Sequence, residues 1–357
     1  MGELPAGRLR AAKDASPPYR AVAIWLWSLA GLVFLMVIVG GATRLTESGL
    51  SITEWKPLSG IIPPLSQAAW LAEFEHYKKI PQYAQLFPDM DLGGFKYIFF
   101  FEWSHRLLGR LIGAAMALPL IYFWAKGNLP PGYKPKLLAV LALGGVQGIV
   151  GWWMVKSGLS DRVEVAQERL AIHLLLASLT FAALVWLAAS LKHREAELSY
   201  KVLPGFKWFA TSIILLVLLQ IGLGALVAGL RAGRAFNTWP LIAGYFWPPL
   251  DQLTLLTPLW RNFFDNILLV QFQHRMTAYV LLAVAIVQVF YASRVEGGSR
   301  AQRRVIAVAG LVAAQAAIGI VALVLVVPLW AGLLHQAFAM LVLGMAVAHA
   351  QALSQGR

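Results

Sequence analysis

Hydrophobic residues in this chain gather into eight long stretches with polar breaks between them, roughly 22–41, 98–124, 137–155, 170–191, 208–229, 266–292, 305–326 and 332–351. A helix that spans a bilayer needs about 20 mostly apolar residues, so the pattern predicts an all-α polytopic membrane protein with eight transmembrane helices. An even number of spans puts both ends on one side. The N-terminal tail, the loops 126–136, 192–207 and 293–304, and the C-terminal end carry 16 basic and 5 acidic residues, against 11 and 11 in the alternate loops. Basic residues are retained on the cytoplasmic face, so both termini are expected there. Residues 1–20, polar and carrying Arg8, Arg10, Lys13 and Arg20, read as a cytoplasmic tail and not as a cleaved signal peptide.

Two of the outer loops are long, about 42–97 and 230–265, and their Trp, Pro and Gly content predicts ordered caps. They share an order: Trp55 then KPLSGIIPP, and Trp239 then PLIAGYFWPP. Further echoes follow in sequence. SHR at 104–106 returns as QHR at 273–275, Gln147-x3-Gly151 as Gln315-x3-Gly319, and His173 as His335. The chain therefore reads as two tandem four-helix bundles, 1–200 and 201–357, joined by a polar loop from Lys192 to Lys207. Halves with an even number of spans share one orientation, so a pseudo-two-fold axis along the membrane normal is expected.

Composition narrows the chemistry. With 59% hydrophobic and 13% charged residues, a soluble fold is excluded in favour of a membrane protein surrounded by lipid. The net charge of +13 resides in short loops as a topology signal and points to no nucleic acid. There is no cysteine, so disulfides, thiolate metal sites and thiol redox chemistry are absent.

Against this apolar background, FEWSHRLLGR at 101–110 stands out, because a charge at mid-bilayer costs about 2.5–3.5 kcal/mol on the mildest scale. Glu102, His105 and Arg106 share one helix face, with Gly109 a turn below leaving open room for a flat ligand. His105, His173, His274 and His335 all enter from the outer side at similar depth on even-numbered spans. Each is followed four residues later by a small residue, namely Gly109, Ala177, Ala278 and Ala339. Two histidines per half on different helices clamp a haem iron from both faces. A tetrahedral zinc site would need its ligands together, whereas these divide two and two. Arg106 and Arg275 are placed either to pair with haem propionates or to bind headgroups and carbonyls at the interface. Arg110 is open to the same alternatives. His76, His193 and His349 read as solvated or interfacial. Glu102 before His105 becomes Gln271 before His274, so only the first site carries an ionisable group, which points to a reactive site there and an electron-holding one in the second half.

The run GGATRLTESGLSITEWKPLSGIIPP at 40–64, with EWSHRLLGR at 102–110, QFQHR at 271–275 and the paired histidines, resembles the haem A synthase family in its cysteine-free proteobacterial and mitochondrial branch. The resemblance implies an eight-span oxidoreductase of the bacterial inner membrane. It would oxidise a ring methyl of haem O to a formyl group, through a hydroxymethyl stage, to give haem A. By the same resemblance His274 and His335 would hold a resident haem b, His105 and His173 the substrate, and Glu102 matches a required glutamate. It implies contact with the enzyme that makes haem O and an electron-transfer partner of unknown identity, and leaves room for a homo-oligomer. Thr43, Arg44 and Ser48 either cap the substrate pocket or fold the loop. The alternative reading is a bis-histidine membrane cytochrome that only transfers electrons. A transporter, the third class, lacks broken spans or a charged midplane site.

Overall fold

The computed structural model describes residues 19–57, 59–193, 204–295 and 299–354. The eight predicted spans are eight long helices: α1 Arg20–Leu45, α2 Leu92–Ala125, α3 Tyr133–Lys156, α4 Gln167–His193, α5 Pro204–Gly229, α6 Ile267–Val295, α7 Arg300–Val324 and α8 Leu329–Ser354. The expected N-terminal tail and most of the connecting loop lie outside the described residues, as does the His193 side chain. Among the described residues no strand forms; one isolated bridge joins Ile242 and Tyr245.

Helix starts follow local chemistry. Asp91 accepts from the Gly94 amide at 2.7 Å to cap α2, and Ser299 accepts from the Gln302 amide at 3.0 Å to cap α7. On α1 the buried residues Val22, Leu26, Leu29, Val33 and Val37 recur every three or four positions, which aims one stripe at the common core. Each helix of the first half packs on its neighbours, α1 on α2 and α4, α3 on α2 and α4. The second half repeats this, α5 on α6 and α8, α7 on α6 and α8. Between the halves α4 meets α5 and α8, and α8 meets α1. Exchanging α1–α4 for α5–α8 leaves this set of pairings unchanged.

Helix α2 has 34 residues, about 51 Å at 1.5 Å per residue, against about 30 Å of hydrocarbon. Its first turns therefore rise above the bilayer and carry a cap. Phe95 and Phe99 pack there with Trp70, Phe74 and Tyr77 of the loop helix Gln67–Tyr77, and with Leu50, Ile52 and Ile80. The second long loop has a smaller core of Ile242, Leu253, Leu268 and Phe272. Both long loops pack as ordered caps, as their composition predicts.

Candidate functional site

The four in-register histidines each rest on a glycine of the preceding helix. A Cβ built on Gly40 of α1 would lie 2.8 Å from His105 Cε1; on Gly151 of α3, 2.9 Å from that of His173; on Gly224 of α5, 3.1 Å from that of His274; on Gly319 of α7, 2.6 Å from that of His335. In every case Cε1 is nearest, then Nδ1, then Nε2. One arrangement is thus built four times: an odd-numbered helix supplies a bare ledge and the next even-numbered helix lays an imidazole on it. Only glycine leaves that space, since carbon atoms settle about 3.5–4.0 Å apart.

Four residues before three of these glycines stands a glutamine. Gln147, Gln220 and Gln315 donate from Nε2 to the backbone carbonyls of His173, His274 and His335 at 3.0, 3.0 and 2.9 Å, and the same nitrogen lies 3.2, 3.1 and 3.1 Å from the respective Nδ1. Gln147 and Gln315 were visible as a repeat in the sequence. Gln220-x3-Gly224 is spelled the same way and completes it.

Across the second half His274 and His335 face each other with ring centroids 6.4 Å apart and planes at 79°. In the first half His105 and His173 lie within electrostatic reach of one another. A metal about 2 Å from one nitrogen of each imidazole sets two ring centroids about 6 Å apart, so the second-half pair matches a bis-histidine iron site. All four rings are half-buried, and among the described residues the Nδ1 of His105 is buried without a hydrogen-bond partner. The donor set fits haem iron in both halves, and the 6.4 Å spacing of His274 and His335 fits it in the second.

Glu102 is 2% exposed and fully engaged. Its Oε2 accepts from Ser51 Oγ at 2.8 Å and the Ile52 amide at 2.7 Å, and its Oε1 from Arg106 Nη2 at 2.6 Å and Nε at 3.1 Å. Arg106 continues to the carbonyls of Ile52 and Glu54, at 2.8 and 3.0 Å. The carboxylate therefore ties the first cap to the helix that bears His105, one turn from it. At the matching place Gln271 accepts from Arg275 at 2.9 Å and donates to the carbonyls of Ala232 and Phe236, while Arg275 reaches those of Phe236, Thr238 and Leu241. Glutamine serves there because the second loop presents acceptors, whereas the first presents an amide and a hydroxyl that need an acceptor. Arg106 and Arg275 both reach loop carbonyls. Arg110 does likewise with Lys56 and Pro57, at 2.7 and 2.8 Å.

At Gly109, one turn below His105, the flexible thioether of Met36 reaches across from α1, with its methyl 3.0 Å from where a Cβ would lie. One expectation is corrected. His349 is not solvated. It is 2% exposed with neither ring nitrogen partnered among the described residues, because α8 runs on to Ser354 and packs its end with Phe206, Ala210 and Val305. His76 is half-buried in the first cap, with Nδ1 3.6 Å from Glu54 Oε1.

Thr43, Arg44 and Ser48 fold the loop. Thr43 donates to the carbonyl of Val39 at 2.9 Å and Ser48 meets Thr46 at 2.7 Å. Arg44 joins Glu47, Glu164 and Arg231 in a four-membered ion cluster, reaching also the Ala228 carbonyl of α5 at 3.1 Å, so that it links the two halves. In the first cap Lys56 bridges Glu54 and Glu73 at 2.8 and 2.5 Å. Lys56 holds the Glu54 carboxyl below its ordinary value. Burial would lower the Lys56 ammonium, yet its bonds to the two carboxylates raise it overall.

Comparison with known proteins gives a consistent result. The COX15-CtaA family, described as cytochrome oxidase assembly protein, matches residues 23–347. The chain is 72% identical to a heme A synthase of Beijerinckia indica over 353 residues, covering 99% of this chain and 98% of the relative. It is 53% identical to a heme A synthase of Bradyrhizobium diazoefficiens, covering 95% and 93%, and 54% identical to one from a Methylobacterium species, covering 95% and 94%.

Proposed function

Because this chain belongs to the COX15-CtaA family of cytochrome oxidase assembly proteins, we propose that it works as a heme A synthase, an enzyme acting on haem within the membrane. Its reaction is the oxidation of a ring methyl of haem O to the formyl group of haem A. The observation that carries this reading is the pair of histidine sites, alike in every ledge but different in their neighbours: a buried carboxylate, Glu102, beside the first and an amide, Gln271, beside the second. An enzyme that alters one haem with the help of another needs two sites of one build and unequal chemistry.

In this reading the second half, 201–357, keeps haem b between His274 and His335, and the first half, 1–200, takes haem O between His105 and His173. Bound haem b supplies the electron-transfer chemistry. The chain's own residues do the rest: Glu102, with Arg106, ties Ser51 and Ile52 to the helix that bears His105 and would supply the carboxylate of the first site. Its charge, shared with Arg106, would help to offset positive charge developing on the substrate. The apolar faces of the spans receive the farnesyl tail from the membrane without passing it through water, which favours direct delivery by the enzyme that makes haem O. Both sites stand toward the outer face of the inner membrane, with both termini cytoplasmic. The donor or acceptor of electrons is a separate partner.

Removing one ligand from each half tests the assignment. His274→Ala should lose haem b and keep a farnesylated haem in the purified protein, and His173→Ala the reverse, as read by mass analysis of extracted haems. Loss of haem b from His173→Ala alone would reverse the halves.

A further inference from the structure

The four ledges are alike, but one of the four rings is not held. His173, His274 and His335 each have a glutamine amide on the ring and on the backbone carbonyl. Each of these amides also keeps an Oε1 with no partner, so a small turn offers an acceptor to Nδ1–H. Four residues before Gly40, where the pattern requires the fourth glutamine, stands Met36. A thioether anchors neither the carbonyl nor the ring, and the Nδ1 of His105 is the one among the four left buried without a partner. Met36 turns instead toward Gly109, the one glycine among the four residues that follow the histidines by a turn.

We propose that Met36 makes His105 the releasable ligand of the four, so that the first site grips its haem through His173 and lets it go on the His105 side. This rests on the assignment of substrate to the first half. A resident cofactor needs both ligands fixed, and both second-half histidines carry their glutamine. A haem that must arrive as substrate and depart as product needs one ligand that yields. Partners on the free ring nitrogen of a metal-bound histidine fix the ring and strengthen it as a ligand, and losing one costs about 10–100-fold in affinity.

The test installs or removes the missing amide in the haem-loaded protein. Met36→Gln should lengthen retention of the farnesylated haem during repeated gel filtration by about tenfold or more and weaken displacement of His105 by external imidazole to a similar degree, with haem b unchanged. Met36→Leu leaves the ring unheld and should retain haem as the wild type does. Gln147→Met should strip the farnesylated haem on purification. Equal retention and equal imidazole binding in Met36→Gln and wild type overturn the proposal. Gln315→Met tests ring holding without touching position 36: it should open haem b to imidazole, and failure to do so also overturns it. If Gln147→Met instead strips haem b, the assignment of the halves fails while the holding role of the amide stands.

Discussion

Gly319→Ala isolates what the ledges contribute. The new Cβ would lie 2.6, 3.2 and 3.4 Å from Cε1, Nδ1 and Nε2 of His335, so against a comfortable contact of about 3.5 Å the ring or the helix must give by about 0.9 Å. Such overpacking costs about 1–3 kcal/mol, and alanine returns about 1 kcal/mol of helix propensity, so the fold loses about 0–2 kcal/mol. The ligand geometry suffers more, because either response alters the 6.4 Å spacing of His335 and His274. Gly224→Ala is the internal control, on the same site through the other ring, with a nearest contact of 3.1 Å and a deficit of about 0.4 Å. Haem b per protein, by mass analysis and by the low-spin spectrum of the ferric protein, should fall severely in Gly319→Ala and mildly in Gly224→Ala. Full haem b with an unaltered spectrum in Gly319→Ala, or the opposite order of the two variants, would refute the ledge argument.

Three other perturbations probe separate parts of the structure. Glu102→Gln sets an amide among the donors Ser51, Ile52 and Arg106; about 1–3 kcal/mol of unsatisfied pairing should loosen the first cap and stop haem A formation while haem b stays, and normal haem A output would remove Glu102 from the chemistry. His349→Leu removes a buried, unpartnered imidazole fourteen residues, about 21 Å, along α8 from His335; thermal stability should hold or rise and both haem spectra stay unchanged, whereas a lower melting temperature would show a hidden partner. In the first cap, the lowered Glu54 contributes stability that is present above its ordinary 4.5 and lost as pH falls through its folded value, and the raised Lys56 contributes below 10.5 and loses it as pH rises through its own. Protease resistance of the loop should therefore be flat between about pH 5 and pH 10 and drop outside, and a change near pH 7 would point to another group.

Much of this architecture is written in the chain. Eight spans follow from apolar length, and the four histidines from their register in the early turns of even-numbered spans. The ledges were half legible. Gln147-x3-Gly151 and Gln315-x3-Gly319 repeat openly, but Gly40 lies behind a methionine and reveals its kinship only when His105 is seen upon it. Arg106 and Arg275 could not be resolved by sequence, because the carbonyls they bind exist in every residue and leave no side-chain signature. The ion cluster of Arg44 is invisible for another reason: Glu164 lies far along the chain from it, and Arg231, which binds Glu47 and Glu164, joins only once the halves dock. His349 misled because a histidine near a helix end usually finds water, and here the helix continues into a packed junction.

The most direct measurement extracts the haems from membranes that make haem O, with and without this chain, and weighs them. The account predicts haem A, or its hydroxymethyl precursor, only where the chain is present. Unchanged haem O beside a correctly bound haem b, with reductant supplied, would contradict it and leave a cytochrome that only passes electrons.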